Sequence, residues 1–256
     1  MSAVTDHYDN LLAEHYTWMG GATPEARSAE QRQLLARLGV RSAALAVDLG
    51  AGPGFQSMAL ADIGFGRVLA FDTSGRLLEE LRVNVADRPV QAIQDDMMNL
   101  PRHVAAGSVD AIVCMGDTLT HLVRHSLVPE LFAAVADALR PGGRFILSYR
   151  DLSSELHGLT RFIPLRSSAD RIMTCFLEFG ADTVLVHDLI HVRDGTEWQL
   201  LKSCYPKLRL SVDDVQRRLE DAGFRIHVRE SSRGMAVLSA AKITVSESQP
   251  PPESVR

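Results

Sequence analysis

The spacing of apolar positions divides the chain into four blocks. In residues 1–40 they recur at helical intervals: Leu11, Leu12, His15, Tyr16 and Met19, then Leu34, Leu35 and Leu38. The interruption is GGATP, where Gly20, Gly21 and Pro24 break the first helix and Thr23 is placed to cap the second. Residues 41–150 alternate short apolar runs (Leu45–Leu49, Val68–Phe71, Val90–Ile93, Val109–Met115, Arg144–Ser148) with helix-forming stretches (Ser57–Ile63, Ser74–Val85, Pro129–Leu139). Strands alternating with helices make βαβ units, so a parallel sheet covered by helices on both faces is predicted. Pro141-Gly142-Gly143 stands where it would close the last of these helices.

The period changes again over 159–210. RFIPLR, DRIMTCFLEF, DTVLVHDLIHVR and EWQLLKSCYPKLRL read as strands, parted by Ser167-Ser168, Gly180-Ala181 and the hairpin signal Asp194-Gly195. After them come a helix over 212–222 capped by Ser211 and two strands, FRIHVRE and GMAVLSAAK. The expected plan is a helical lid at 1–40, a core at 41–150 and an antiparallel insertion at 151–210. Residues 211–242 then complete the core, and the polar, proline-rich tail 243–256 is disordered.

Composition narrows the function. The chain has 256 residues, a formal charge of −5 and 46% hydrophobic residues, which fits one globular domain with an insertion. A mildly acidic chain lacks the electrostatic footprint of a nucleic-acid binder. No apolar run reaches membrane-spanning length and no signal peptide is visible, so a cytoplasmic location is expected. The cysteines Cys114, Cys175 and Cys204 form no CxxC and no disulfide framework. A protein that handles a small molecule is the class these features favour.

The most informative stretch is Val47-Asp48-Leu49-Gly50-Ala51-Gly52-Pro53-Gly54-Phe55, between a strand and a helix. Glycines permit the tight turn and close approach of a ligand, and the helix start offers unpaired N–H groups. The spacing GxGxG departs from the GxGxxG of dinucleotide binders, which disfavours an oxidoreductase. Asp48 in the leading strand suits an ammonium-bearing ligand. The next strand ends in Asp72, about 20 residues on, where a carboxylate can accept from two ribose hydroxyls. Asp72 is alternatively the cap of the following helix.

Two further segments complete the pattern: Asp95-Asp96-Met97-Met98-Asn99-Leu100-Pro101 and Val109-Asp110-Ala111-Ile112-Val113-Cys114-Met115-Gly116-Asp117. In this order and spacing, residues 45–150 resemble the class I S-adenosylmethionine-dependent methyltransferases. The resemblance implies a doubly wound, Rossmann-like sheet of seven strands with the last antiparallel. It implies S-adenosylmethionine as cofactor, with Gly50, Ala51, Gly52 and Gly54 along its methionine part and Asp72 on the ribose, beside Thr73. Asp96 would accept from the adenine amino group, with Met97 against the ring. The carbonyl side of Cys114 or Met115 would face the methionine ammonium.

The acceptor belongs beyond the ends of the fourth and fifth strands, which brings forward Asp117, His121, Tyr149 and Arg150. MGDTLTHL with SYRDL looks like the subgroup of glycine and antibiotic-sugar N-methyltransferases. In the glycine enzymes an arginine at the place of Arg150 grips the substrate carboxylate; a local ion pair with Asp151 is the alternative. Tyr16, with Tyr8, Trp18 and Met19, would form the lid over the acceptor, and the insertion its roof. His187 and His191 are spaced HxxxH, but on a strand four residues span about 13 Å, too far to share a metal. They are expected to line a sheet face, such as the roof, and no metal is expected. Cys114 reads as a small apolar core residue. His121 is the one histidine placed after a strand end and so a candidate base, with a helix-packing role as the alternative. An amine acceptor needs only to arrive unprotonated, so methyl transfer to nitrogen is expected ahead of transfer to oxygen or carbon, or of cofactor binding without catalysis. The partner expected is a small-molecule methyl acceptor; neither nucleic acid nor membrane is expected, and a homo-oligomer is left open.

Overall fold

A computed structural model describes residues 3–232 and 234–244; the tail expected to be disordered lies, from 245 on, outside them. The chain begins with α1 (Ala3–His7), a π turn (Tyr8–Leu12), a tight 3₁₀ turn (Ala13–His15) and α2 (Tyr16–Gly20). Gly21, at φ 81°, ends α2 in the left-handed region that a glycine tolerates. Thr23 then accepts from the Ala26 amide and Pro24 opens α3 (Pro24–Arg37), as the sequence predicts.

The core follows as β1 (Leu45–Leu49), α4 (Phe55–Ile63), β2 (Arg67–Asp72), α5 (Gly75–Val85), β3 (Val90–Gln94), β4 (Val109–Cys114), α6 (Leu127–Ala138) and β5 (Leu139–Arg150). Next come β6 (Phe162–Ser167), β7 (Arg171–Phe179), β8 (Thr183–Asp194) and β9 (Glu197–Leu208). The described chain closes with α7 (Val212–Asp221), β10 (Phe224–Ser232) and β11 (Met235–Lys242). Seven strands form one sheet in the order β10-β11-β5-β4-β1-β2-β3, and β6-β7-β8-β9 form a second, antiparallel one. Within the first sheet, β1 to β5 pair in parallel while β11 runs antiparallel to both its neighbours. This is the expected α/β architecture, with strand order reversing between β4 and β1.

Alternate residues of the parallel strands feed opposite layers. Leu49, Ile112, Phe145 and Leu147 pack with α6 and α7, whereas Ala46, Val113 and Ile146 pack with α3 and α4. One detail differs from the sequence reading. Helix α6 ends at Ala138, and Pro141-Gly142-Gly143 lies inside β5, where the register against β4 shifts between Val109 and Ala111. The strand absorbs the extra residues as a bulge, with Gly142 at φ 76°.

In the second sheet, Met173, Cys175, Leu177, Val184, Val186 and Ile190 form a buried face against Leu11, Leu12 and Leu152. Strand parity corrects one expectation. His187 and His191 do line a sheet face, but the outer one rather than the roof of a pocket, His187 paired with Glu178 at 3.0 Å, while Asp188 and Ile190 between them point inward. The turn between β8 and β9 is Gly195-Thr196, because Asp194 still pairs with Glu197.

Candidate active site

The glycine loop is shaped by backbone constraints. Gly50, Gly52 and Gly54 all have positive φ. A Cβ on Gly50 would lie 2.3 Å from the Thr118 side chain, so nothing larger fits between β1 and the turn after β4. The Gly52 amide donates to Asp72 Oδ2 at 2.8 Å, and the Ser74 amide donates to Oδ1 at 2.9 Å. Ser74, whose hydroxyl accepts from the Leu77 amide, is the cap of α5; Asp72 therefore ties the loop to the helix start. Burial pushes the Asp72 carboxyl up, and the amides of Ser74 and Gly52 offset part of that shift. Asp48 is 1% exposed, accepts one bond from Ser57 and leaves Oδ1 without a partner; burial pushes its carboxyl up to about 7.

A cavity of about 140 Å³ opens at the carboxyl ends of β1, β2 and β4, where the strand order reverses. Gly50, Gly52, Asp72, Thr73, Asp96, Met97 and Met115 line it, together with Tyr16, Asp117 and His121. Ala51 and Gly54 do not: Ala51 packs behind the loop and Gly54 lies against Leu81. Of the adjacent carboxylates, Asp95 is engaged by His103 and Asn99, while Asp96 accepts from the Met98 amide. The Met115 carbonyl accepts from the Thr118 hydroxyl.

A second chamber of about 190 Å³ adjoins the first, between the parallel sheet and the inner face of the β6–β9 sheet. Tyr8, Tyr16 and Asp117 line both cavities and so mark their junction. Asp117 Oδ2 meets Lys207 Nζ at 2.6 Å and its Oδ1 accepts from the Arg150 amide at 2.7 Å. Burial alone would raise the Asp117 carboxyl, but the Lys207 ammonium overrides it and holds the group well below the usual carboxylate range. Burial lowers His121 to about 3, helped by Lys207, and raises Tyr16 to about 12. Tyr8 and Tyr205, also buried, are pushed well above the usual phenol value.

The structure separates two neighbours that the sequence had placed together. Arg150 reaches the second chamber, and among the described residues its guanidinium has no hydrogen bond or ion pair. Asp151 is occupied by Ser153 and the Val212 amide, so it does not hold Arg150. Tyr149, one residue earlier, points to the opposite face of β5 and is wholly buried in the α6–α7 layer, so it lines neither cavity. His121 does line the cofactor cavity, where burial and Lys207 hold its imidazole low, at about 3, a setting that disfavours a general base. Cys114, raised to about 12 by burial, is a core thiol.

Three chamber residues were not singled out from the sequence. Asp188, Tyr205 and Lys207 all face inward from β8 and β9. Strand parity carries the signal for Asp188, which shares the inward face with Val184, Val186 and Ile190. It is 1% exposed, accepts from Cys175 Sγ at 2.6 Å and lies 2.9 Å from His7 Nε2; His7 in turn stacks on Tyr205 at 4.2 Å.

A family model described as "Methyltransferase domain" matches residues 46–143, the segment that contains the loop, Asp72, Asp96 and the end of β4. Over this segment the chain is similar to the S-adenosylmethionine-dependent methyltransferases. The chain is 26% identical over 248 residues, 88% of its length and 86% of the other, to a glycine/sarcosine N-methyltransferase of Parasynechococcus marenigrum (strain WH8102). Two solved structures share its fold. One is an S-adenosylmethionine-dependent methyltransferase from Clostridium acetobutylicum ATCC 824, with TM-score 0.71, 17% identity and 93% and 96% of the two chains covered. The other is CalS10 with S-adenosylmethionine bound, an amino pentose methyltransferase from Micromonospora echinaspora, with TM-score 0.71, 16% identity and coverage of 90% and 95%. Among the described residues, no helix is long and apolar enough to cross a membrane, and no group of three or more His, Cys, Asp or Glu side chains is placed to hold an ion.

Proposed function

We propose that this protein transfers the methyl group of S-adenosylmethionine to an amine nitrogen of a small molecule that carries a carboxylate. The observation that carries the reading is the junction of the two cavities. His121 is held near 3, the carboxylate of Asp117 is tied to Lys207, and the phenols of Tyr8 and Tyr16 stay protonated at neutral pH. A hydroxyl or carbon acceptor needs a base there, whereas an amine that arrives neutral needs alignment and a dry site. The relative from Parasynechococcus marenigrum is named for methylation at nitrogen, which supports the same reading.

The first cavity suits the cofactor. Gly50 and Gly52 let it approach the loop backbone, and the desolvated Asp72 carboxylate lies ready for two ribose hydroxyls. Asp96, rather than the engaged Asp95, is the carboxylate available to the adenine amino group. The unpartnered Oδ1 of Asp48 lies behind the loop, where a nearby ammonium would favour the ionised form of this buried carboxyl. When bound, S-adenosylmethionine would supply an electrophilic methyl to the acceptor nitrogen, with Gly50, Gly52, Asp72 and Asp96 holding it. The N-terminal segment, through Val4, Tyr8 and Tyr16, covers the cavity as a lid. Arg150 presents its planar fork to the acceptor carboxylate.

The test has two parts. S-adenosylmethionine and its demethylated product raise the melting temperature and NAD does not; ligand at a hundredfold excess over Kd adds about 2.7 kcal/mol. A screen of amines, phenols and carboxylates with methyl-labelled cofactor then places the label on nitrogen. Stabilisation by NAD alone, or label on oxygen or carbon only, would refute the proposal.

A further inference from the structure

We infer that the second chamber selects a carboxylate-bearing amine with a sizeable apolar side chain, and discriminates against glycine and sarcosine. The inference rests on the amine-methylation reading and names the acceptor class within it.

The chamber's wall is apolar by construction. Met173 and Leu177 on β7 and Val186 on β8 share one face of the antiparallel sheet, with Ile163 of β6 beside them. Leu12 and Met19 of the N-terminal segment also line the chamber. None of these six lines the cofactor cavity, so they lie beyond the junction marked by Tyr8, Tyr16 and Asp117. An amine held at the junction, in line with the methyl, leaves the rest of its molecule to meet this wall.

Size and charge then select the occupant. The chamber holds about 190 Å³ of water-accessible space, and one water needs about 10–15 Å³ of it, so an occupant well beyond glycine in size fits. Glycine, with about five non-hydrogen atoms, touches little of the apolar wall and leaves it wet or empty. Each acceptor CH₂ buried against such a wall strengthens binding roughly fourfold. The charges in the chamber are mostly committed: Lys207 to Asp117, and Asp188 to His7 and Cys175. Arg150 is the chamber charge with no hydrogen bond or ion pair among the described residues. An acceptor that ends in a carboxylate supplies its partner, and an apolar body fills what remains.

The experiment uses the full chain, methyl-labelled S-adenosylmethionine and four probes: glycine, sarcosine, L-leucine and L-phenylalanine. Expected is a kcat/KM for leucine or phenylalanine at least tenfold above that for glycine and sarcosine. Calorimetry in the presence of S-adenosylhomocysteine should show the same order of affinity. The half-buried Ile163, replaced as Ile163→Trp, should lower phenylalanine turnover more than tenfold while cofactor affinity stays within twofold. Glycine methylated as well as phenylalanine would overturn the selectivity and leave amine methylation standing. Selective binding of phenylalanine without transfer would support the selectivity and strike the methylation reading instead. Binding of neither apolar probe would overturn the inference outright.

Discussion

Lys207 Nζ meets Asp117 Oδ2 at 2.6 Å, joining the last strand of the antiparallel sheet to the turn after β4. The bond fixes the second chamber's roof at the point where the two cavities meet. Both side chains are largely withdrawn from water, at 9% and 18% exposure. Removing one partner from such a pair leaves an uncompensated charge.

Lys207→Met is therefore expected to destabilise the fold by about 3 kcal/mol, and adding Asp117→Asn should recover part of the loss. Urea denaturation of the parent, single and double variants measures both. The sign with pH follows from Asp117's lowered pKa: its contribution is complete above about pH 4 and fades as pH falls below that. A double variant no more stable than Lys207→Met would show that the cost is lost packing rather than a stranded carboxylate.

Asp72→Ala should weaken S-adenosylmethionine binding tenfold to a hundredfold, since bonds to a charged acceptor contribute about 1.5–3 kcal/mol. The variant should stay folded, because Ser74 rather than Asp72 caps α5. Isothermal calorimetry reads the affinity directly. Unchanged binding would confine Asp72 to holding the loop.

Asp48 titrates in the opposite sense to Asp117. Its folded-state pKa is raised to about 7, so the native protein holds an extra proton between about pH 4 and 7, and stability falls as pH rises through that window. For a buried carboxyl the effect is on the order of 3–4 kcal/mol. Asp48→Asn cannot titrate, so its stability relative to the parent should improve steadily from pH 4 to 7. Parallel denaturation curves for the two proteins across that range would contradict this.

Arg150→Lys should leave cofactor affinity nearly intact and lower kcat/KM for the acceptor more than tenfold. Lysine keeps the charge but lacks the planar fork that orients a carboxylate. Steady-state kinetics on an accepted amine decides it, and equal turnover would remove Arg150 from acceptor recognition.

How much of this was legible in the chain depends on the range of the forces involved. The alternation of apolar runs and helical stretches in 41–150, and the period-two runs of 159–210, located all the parallel strands and all four insertion strands. These patterns record burial, which each residue carries in its own chemistry. The glycine loop was legible for the same reason: positive φ at Gly50, Gly52 and Gly54 is a local demand that the residue type answers.

Pairings between distant segments were not legible. Nothing in the sequence near Asp117 names Lys207, ninety positions away, and nothing near Asp188 names His7. Tyr149 and Arg150 are adjacent in the chain, yet only the placement of β5 between β4 and β11 decides which of them faces the chamber. Whether His121 could act as a base also waited on the fold, because its pKa is set by burial and by Lys207 rather than by its neighbours in sequence. The sequence by itself determined the elements, the cofactor loop and the candidate carboxylates, since those follow from local propensity and periodicity. The tertiary structure decided which charges are neutralised, which face the acceptor and which cannot titrate, because desolvation and Coulomb interactions depend on distances that only the packed chain defines.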